Sequence, residues 1–226
     1  MSSPLAKTTA SRASRVLIDS HQKLSHGHRT KILAQMLANT VSSLAQSPHC
    51  LDIGCGDMTI AEMVATAAPR STWKCLDLYP LPSELGGNSR WQKYMEFDGK
   101  TLPFANQSVD VALFCDVLHH MPADVQMRML SEAARVAKHV VIKDHFEYGF
   151  WSRTLLRAMD FFGNWAYGVS VPSHYFSRAS FLAVTAQSGL QVDSMQVGVD
   201  LYGHLPVIRR ILRQEWQFIS VISRKL

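Results

Sequence analysis

Residues 50 to 57 read Cys50-Leu51-Asp52-Ile53-Gly54-Cys55-Gly56-Asp57, and a helical pattern follows at once with Ile60, Met63, Val64 and Ala67 on one apolar face. The stretch reads as a buried strand that ends in an acid and then a glycine turn. The glycines let the backbone bend sharply and approach a ligand where a side chain would collide. Downstream, Trp73-Lys74-Cys75-Leu76-Asp77-Leu78 is a second short apolar run with an acid near its tip. An acid there, about 20 residues after the turn, is where a nucleotide ribose expects its hydroxyls to be bound. Together the two runs predict a nucleoside site.

A dinucleotide fingerprint would need a third glycine at position 59, which is Thr59, and the acid two residues before the first glycine points away from NAD. The arrangement instead resembles motif I of the class I S-adenosylmethionine-dependent methyltransferases, written (D/E)-x-G-x-G-x-G. Asp52, Gly54 and Gly56 match, and Met58 stands where the last glycine would be. Phe97-Asp98-Gly99-Lys100-Thr101-Leu102-Pro103-Phe104 is similar to the family's D-x-x-x-L-P-F stretch. Ser108 to Met121, containing Cys115-Asp116-Val117-Leu118-His119-His120, resembles its fourth strand and the L-H-H segment beyond it. Val140-Val141-Ile142-Lys143-Asp144 is similar to the fifth strand and Glu215 to Ser223 to the seventh. The ordered matches run from residue 48 to 145, and the subgroup resembled is the small bacterial "type 11" methyltransferases.

The resemblance implies an α/β fold: a single-domain, Rossmann-like, seven-stranded sheet, mostly parallel with an antiparallel last strand and helices on both faces. It implies S-adenosylmethionine as cofactor and S-adenosylhomocysteine as product. Carried over residue by residue, the methionine end falls to Asp52, Gly54, Cys55 and Gly56 with Cys115 and Asp116. The ribose falls to Asp77 beside Leu78, and the adenine amino group to Asp98 beside Gly99. The plain reading of Asp52 and Asp77 is turn formation or helix capping.

The alternation of short apolar strands with helices independently predicts βαβ units and a parallel sheet. Residues 1–226 read as one domain, with 1–15 a flexible tail and 16–47 helical, interrupted at Gly27. Residues 48–145 form the cofactor-binding core, 146–188 an aromatic-rich insert, and 189–226 the C-terminal strands. The helices before the core fit either a position over the cofactor or a cover on a sheet edge. The insert, with Phe146, Tyr148, Phe150, Trp151, Phe161, Phe162, Trp165 and Tyr167, fits a core-packed helix or a cap over an apolar acceptor.

Composition narrows the function. A chain of 226 residues, 47% hydrophobic, can build one large core. No stretch of about 18 apolar residues occurs, so no transmembrane segment is expected. The cysteines Cys50, Cys55, Cys75 and Cys115 lack paired spacing, which argues against zinc and disulfides and for a cytoplasmic location. No metal is expected. The net charge of +5 is split between the chain ends without interleaved aromatics, which argues against a nucleic-acid platform.

Transfer from a sulfonium needs a general base only if the acceptor must lose a proton. His119, His120, Asp144 and His145 are the candidates, with Asp144-His145 favoured because they end the fifth strand on the acceptor side, although neighbours leaving a strand point opposite ways and at most one faces the acceptor. The acceptor expected is a small or lipid-like molecule. A catalytically silent cofactor-binding protein and an RNA methyltransferase are the alternatives. The residues name neither the methylated atom nor an oligomeric state.

Overall fold

The computed structural model describes residues 27–80, 92–164, 171–203 and 206–225. Helix α1 (Gly27–Leu44) precedes β1 (His49–Ile53), α2 (Thr59–Ala67), β2 (Thr72–Asp77), β3 (Tyr94–Glu96) and β4 (Val109–Cys115). Then follow α3 (Ala123–Val136), β5 (Ala137–His145), α4 (Phe150–Asn164), α5 (Arg178–Gln187), β6 (Leu190–Val197), α6 (Pro206–Ile211) and β7 (Gln217–Arg224). The strands form one seven-stranded sheet in the order β3-β2-β1-β4-β5-β7-β6. β1 to β5 pair in parallel, and β7 runs antiparallel to both its neighbours. This is the topology the sequence predicts.

Period-two alternation divides the core between the two faces of the sheet. On β5, Val140 and Ile142 pack with α3 and α5 through Met129, Leu130, Ala133, Phe181 and Val184. Val141 points the other way, to Leu33, Leu37 and Val41 of α1 and Ala61 and Val64 of α2. At the end of β5 the same alternation puts buried charge on both sides, Lys143 toward one and Asp144 toward the other.

Several boundaries differ from the sequence reading. Gly27 is the first described residue and already lies in α1; the residues before it, with Val16, Leu17 and Leu24, lie outside the described residues. The expected seventh strand starts at Gln217, because Gln214–Trp216 takes one turn of 3-10 helix first. The expected insert over 146–188 holds two different objects. α5 is a regular sheet-covering helix opened by a Ser177–Ser180 capping box. Only the residues before it, with α4, are additional to the layered fold.

Strand order reverses between β1 and β4, so their carboxyl ends diverge and open a crevice. The glycine turn, Asp77, Cys115, Asp116 and the end of β5 all lie along it.

Candidate active site

The first wall of the crevice is built by local backbone. Gly54 (φ +78°) donates its N–H to the Leu76 carbonyl at 2.8 Å, and Cys55 to the same oxygen at 3.1 Å. A Cβ on Gly54 would sit 2.7 Å from Val117, so only glycine fits there. Gly56 (φ +53°) has open space where a Cβ would stand, and its N–H donates to Asp77 Oδ2 at 2.8 Å. Asp77 Oδ1 accepts from the Tyr79 N–H at 3.2 Å. Met58, in the last glycine position, keeps the left-handed conformation (φ 65°) and buries its side chain completely. The turn therefore survives the loss of glycine, with strain offset by packing.

Asp52 is 2% exposed at the end of β1. Burial, with Asp77 and Asp57 nearby, pushes its carboxyl up to about 7. Three carboxylates thus crowd one turn, and a cationic ligand would relieve them. The Asp98 side chain accepts the Lys100 and Thr101 N–H groups at 2.8 and 3.0 Å, which lowers its pKa. Gly99 (φ +70°) packs on Leu78, where a Cβ would be 2.7 Å from Cδ2. This loop is fixed from below. Arg135 donates to the Leu102 and Phe104 carbonyls, both at 2.9 Å, and the Leu102 N–H donates to Glu132.

The second wall joins elements far apart in sequence. Cys115 ends β4 half-buried, and Asp116 follows in the left-handed region (φ 56°). Its carboxylate meets Lys143 Nζ at 2.5 Å, His145 Nδ1 at 3.2 Å and Arg29 Nη2 at 3.3 Å. Burial alone would raise Asp116, but Lys143, His145 and Arg29 outweigh it and hold the group at about 2. Arg29 also lies over the Tyr202 ring, 5.9 Å from its centroid. Thus α1 both covers one sheet face and reaches the crevice.

On the other side of β5, Asp144 is fully buried and its Oδ1 pairs with His119 Nδ1 at 2.6 Å. In the sequence reading His120 and Asp144 are separate candidate bases. The 3-10 turn Leu118–His120 instead turns His119 inward, and Gln126 holds that turn by donating to the Leu118 and Met121 carbonyls, both at 3.0 Å. Beyond His119 stands Asp160 of α4, with Oδ2 3.3 Å from Nε2, and the Tyr175 hydroxyl donates to the same carboxylate. Burial opposes a charge on His119, but Asp144 and Asp160 prevail and raise it to about 10. Burial and Lys143 lower His145, so its ring is neutral at neutral pH. Asp144 falls well below the carboxylate range despite its burial, because it faces His119.

Arg29, Lys143, Asp160 and Tyr175 were not singled out from sequence. Lys143 had a signal, a lone cation in an apolar strand, and Asp160 another, a lone acid in an aromatic helix. α4 answers the cap-or-core question from both sides. Leu156 packs with Tyr175 and Trp216, whereas Phe150, Trp151 and Phe161 are exposed. Trp165 and Tyr167 lie outside the described residues. Among the described residues the four cysteines are free, and no helix is long and apolar enough to cross a membrane.

Residues 51–140 match the family model described as a methyltransferase domain. No curated protein matches the chain by sequence. Among solved structures, the mitomycin 7-O-methyltransferase is 19% identical with a TM-score of 0.64, over 95% of this chain and 58% of that one. An O-methyltransferase of neocarzinostatin biosynthesis, in complex with S-adenosylhomocysteine and 1,4-dihydroxy-2-naphthoic acid, is 15% identical with a TM-score of 0.58, over 93% and 56% of the two chains. An S-adenosylmethionine-dependent methyltransferase from Aquifex aeolicus is 14% identical with a TM-score of 0.58, over 91% and 97%. This chain therefore spans under two thirds of the two natural-product enzymes.

Proposed function

We propose, from the match of residues 51–140 to a methyltransferase-domain model, that the protein is a class I, S-adenosylmethionine-dependent methyltransferase that moves a methyl group to a small apolar acceptor. One observation carries the cofactor reading: the Asp52–Gly56 turn, beside the switch point between β1 and β4, is bonded to Asp77 at the carboxyl end of neighbouring β2. A carboxylate has about four acceptor sites, so Asp77, already holding two N–H groups, retains capacity for ribose hydroxyls. The crowding of Asp52, Asp57 and Asp77 suits a ligand with an ammonium and a sulfonium. Asp98 and Gly99 stand at the adenine end, Cys115 and Asp116 at the methionine end.

When bound, S-adenosylmethionine supplies an activated methyl group. The chain's part is alignment and exclusion of water, worth roughly 7–11 kcal/mol in well-oriented reactions. Of the expected bases, His145 suits the task best, because it is neutral at neutral pH. Its Nδ1 faces Asp116, so the ring is oriented and can hold a proton taken from an acceptor hydroxyl. Asp144 is too weak a base, and acts by positioning His119. The free thiols fit a reducing, cytoplasmic setting.

Calorimetric titration tests the reading. Saturable one-to-one heat from S-adenosylmethionine and S-adenosylhomocysteine, with none from NAD, is expected, and heat from NAD alone overturns it. Cofactor binding with no turnover across a panel of hydroxylated apolar acceptors would favour the silent, interaction-type protein instead.

A further inference from the structure

We propose that His119, His120 and Asp160 form a binding site for a divalent transition-metal cation. One ligand atom from each of the three lies within 4.8 Å of the others. His119 Nε2 and Asp160 Oδ2 are 3.3 Å apart, close to the roughly 3.4 Å edge that ligands about 2.0–2.1 Å from a tetrahedral zinc ion would span. They form an ion pair but no well-aligned hydrogen bond: His119 Nε2 is a buried polar atom without a hydrogen-bond partner, on a side chain 1% exposed. That atom is one of the three that an ion between them would bind.

The surroundings are those of a ligating histidine. Asp144 Oδ1 holds the far ring nitrogen, Nδ1, at 2.6 Å and so fixes the ring's orientation. The Tyr175 hydroxyl donates to Asp160 Oδ2, the oxygen that faces His119, and fixes its position. His120 and Asp160 are half-buried. Two imidazoles and one carboxylate suit zinc, cobalt, nickel, manganese or ferrous iron better than magnesium or calcium. Three protein ligands leave a further position for water or substrate, as catalytic sites do. Ligation replaces the Nε2 proton of His119, which passes to solvent as the nitrogen lone pair binds the ion.

The site stands on geometry alone; its use rests on the methyl-transfer reading. There the ion would bind and acidify an acceptor hydroxyl on the side of β5 where Asp144 lies.

The full chain, stripped with chelator, is titrated with zinc chloride by calorimetry and with cobalt chloride by visible absorption. His119 is a poor target because it is buried, so His120→Ala and Asp160→Asn are the variants, with exposed His174→Ala as control. One equivalent of ion is expected, weakened at least about tenfold in both variants and unchanged in the control. No stoichiometric binding, or binding that both variants leave intact, overturns the proposal. S-adenosylmethionine titrated into the same samples separates the two readings. If the ion binds and the cofactor does not, the methyl-transfer reading fails while the metal site stands.

Discussion

The two walls of the crevice are built on opposite principles. The wall proposed for the cofactor comes from the segment between Asp52 and Gly99 and depends on backbone conformation: glycines at positive φ, N–H groups on Asp77, and an Asx turn at Asp98. The wall proposed for the acceptor, with Asp116 shared with the methionine end of the cofactor, depends on side chains from five places: Arg29, Asp116, His119, Asp144 and Asp160 meet only in three dimensions. Substitution in the first should cost binding with little stability. In the second, stability and chemistry are tied together, because buried charges there compensate one another.

The largest effect expected is on the acceptor wall. Asp144→Ala leaves buried His119 without its inner partner, and removing one member of such a pair costs about 3–5 kcal/mol. Denaturant unfolding measures it, and a loss below about 1 kcal/mol would break the comparison.

Next comes Asp77→Ala on the cofactor wall. Charge-assisted bonds are worth about 1.5–3 kcal/mol each before water compensates, so S-adenosylmethionine should bind at least about tenfold more weakly. The unfolding midpoint should barely move, and an unchanged dissociation constant would place the ribose elsewhere.

The pH dependence of stability sharpens the contrast, with opposite signs in the two walls. Asp52 is raised from 3.8 to about 7, so between those values the folded chain holds a proton that the unfolded chain has lost. Stability should therefore fall as pH rises across that window, and Asp52→Asn should flatten the slope. Asp116 is lowered from 3.8 to about 2, so its contribution is present above 3.8 and is lost as pH falls through about 2. Unfolding curves at a series of pH values for the parent, Asp52→Asn and Asp116→Asn check both signs.

The smallest effect is expected outside both walls. Trp151 is 80% exposed on α4, so Trp151→Ala should change stability by no more than about 0.5 kcal/mol. If α4 caps the acceptor, the same variant raises the acceptor's KM while cofactor binding holds. A stability loss typical of aromatic core truncation, about 3–5 kcal/mol, would show that the ring is buried in solution.

The aromatic helix also shows where sequence patterning stops. Density of Phe and Trp predicted core or cap equally well, because both bury apolar surface against something. The structure divides them by side of one helix, Leu156 inward and Trp151 outward. At Leu118-His119-His120 the two histidines are interchangeable in sequence, and one turn of 3-10 helix chooses His119 for the interior.

By itself the sequence determined the parallel βαβ core and the glycine turn with Asp52, Gly54, Gly56 and Asp77, while the seven strands and the antiparallel last one came with the family resemblance. The core and the turn follow from local conformational preference and from the alternation of apolar runs, which a chain carries in its own order. Tertiary structure alone decided that Arg29 reaches Asp116, that Asp160 faces His119, and that His119 rather than His120 meets Asp144. Those contacts span 87, 41 and 25 residues of separation, taken as 116 − 29, 160 − 119 and 144 − 119. No local spacing encodes them, because they exist only once the sheet order and helix packing have brought distant charges into one buried, low-dielectric place.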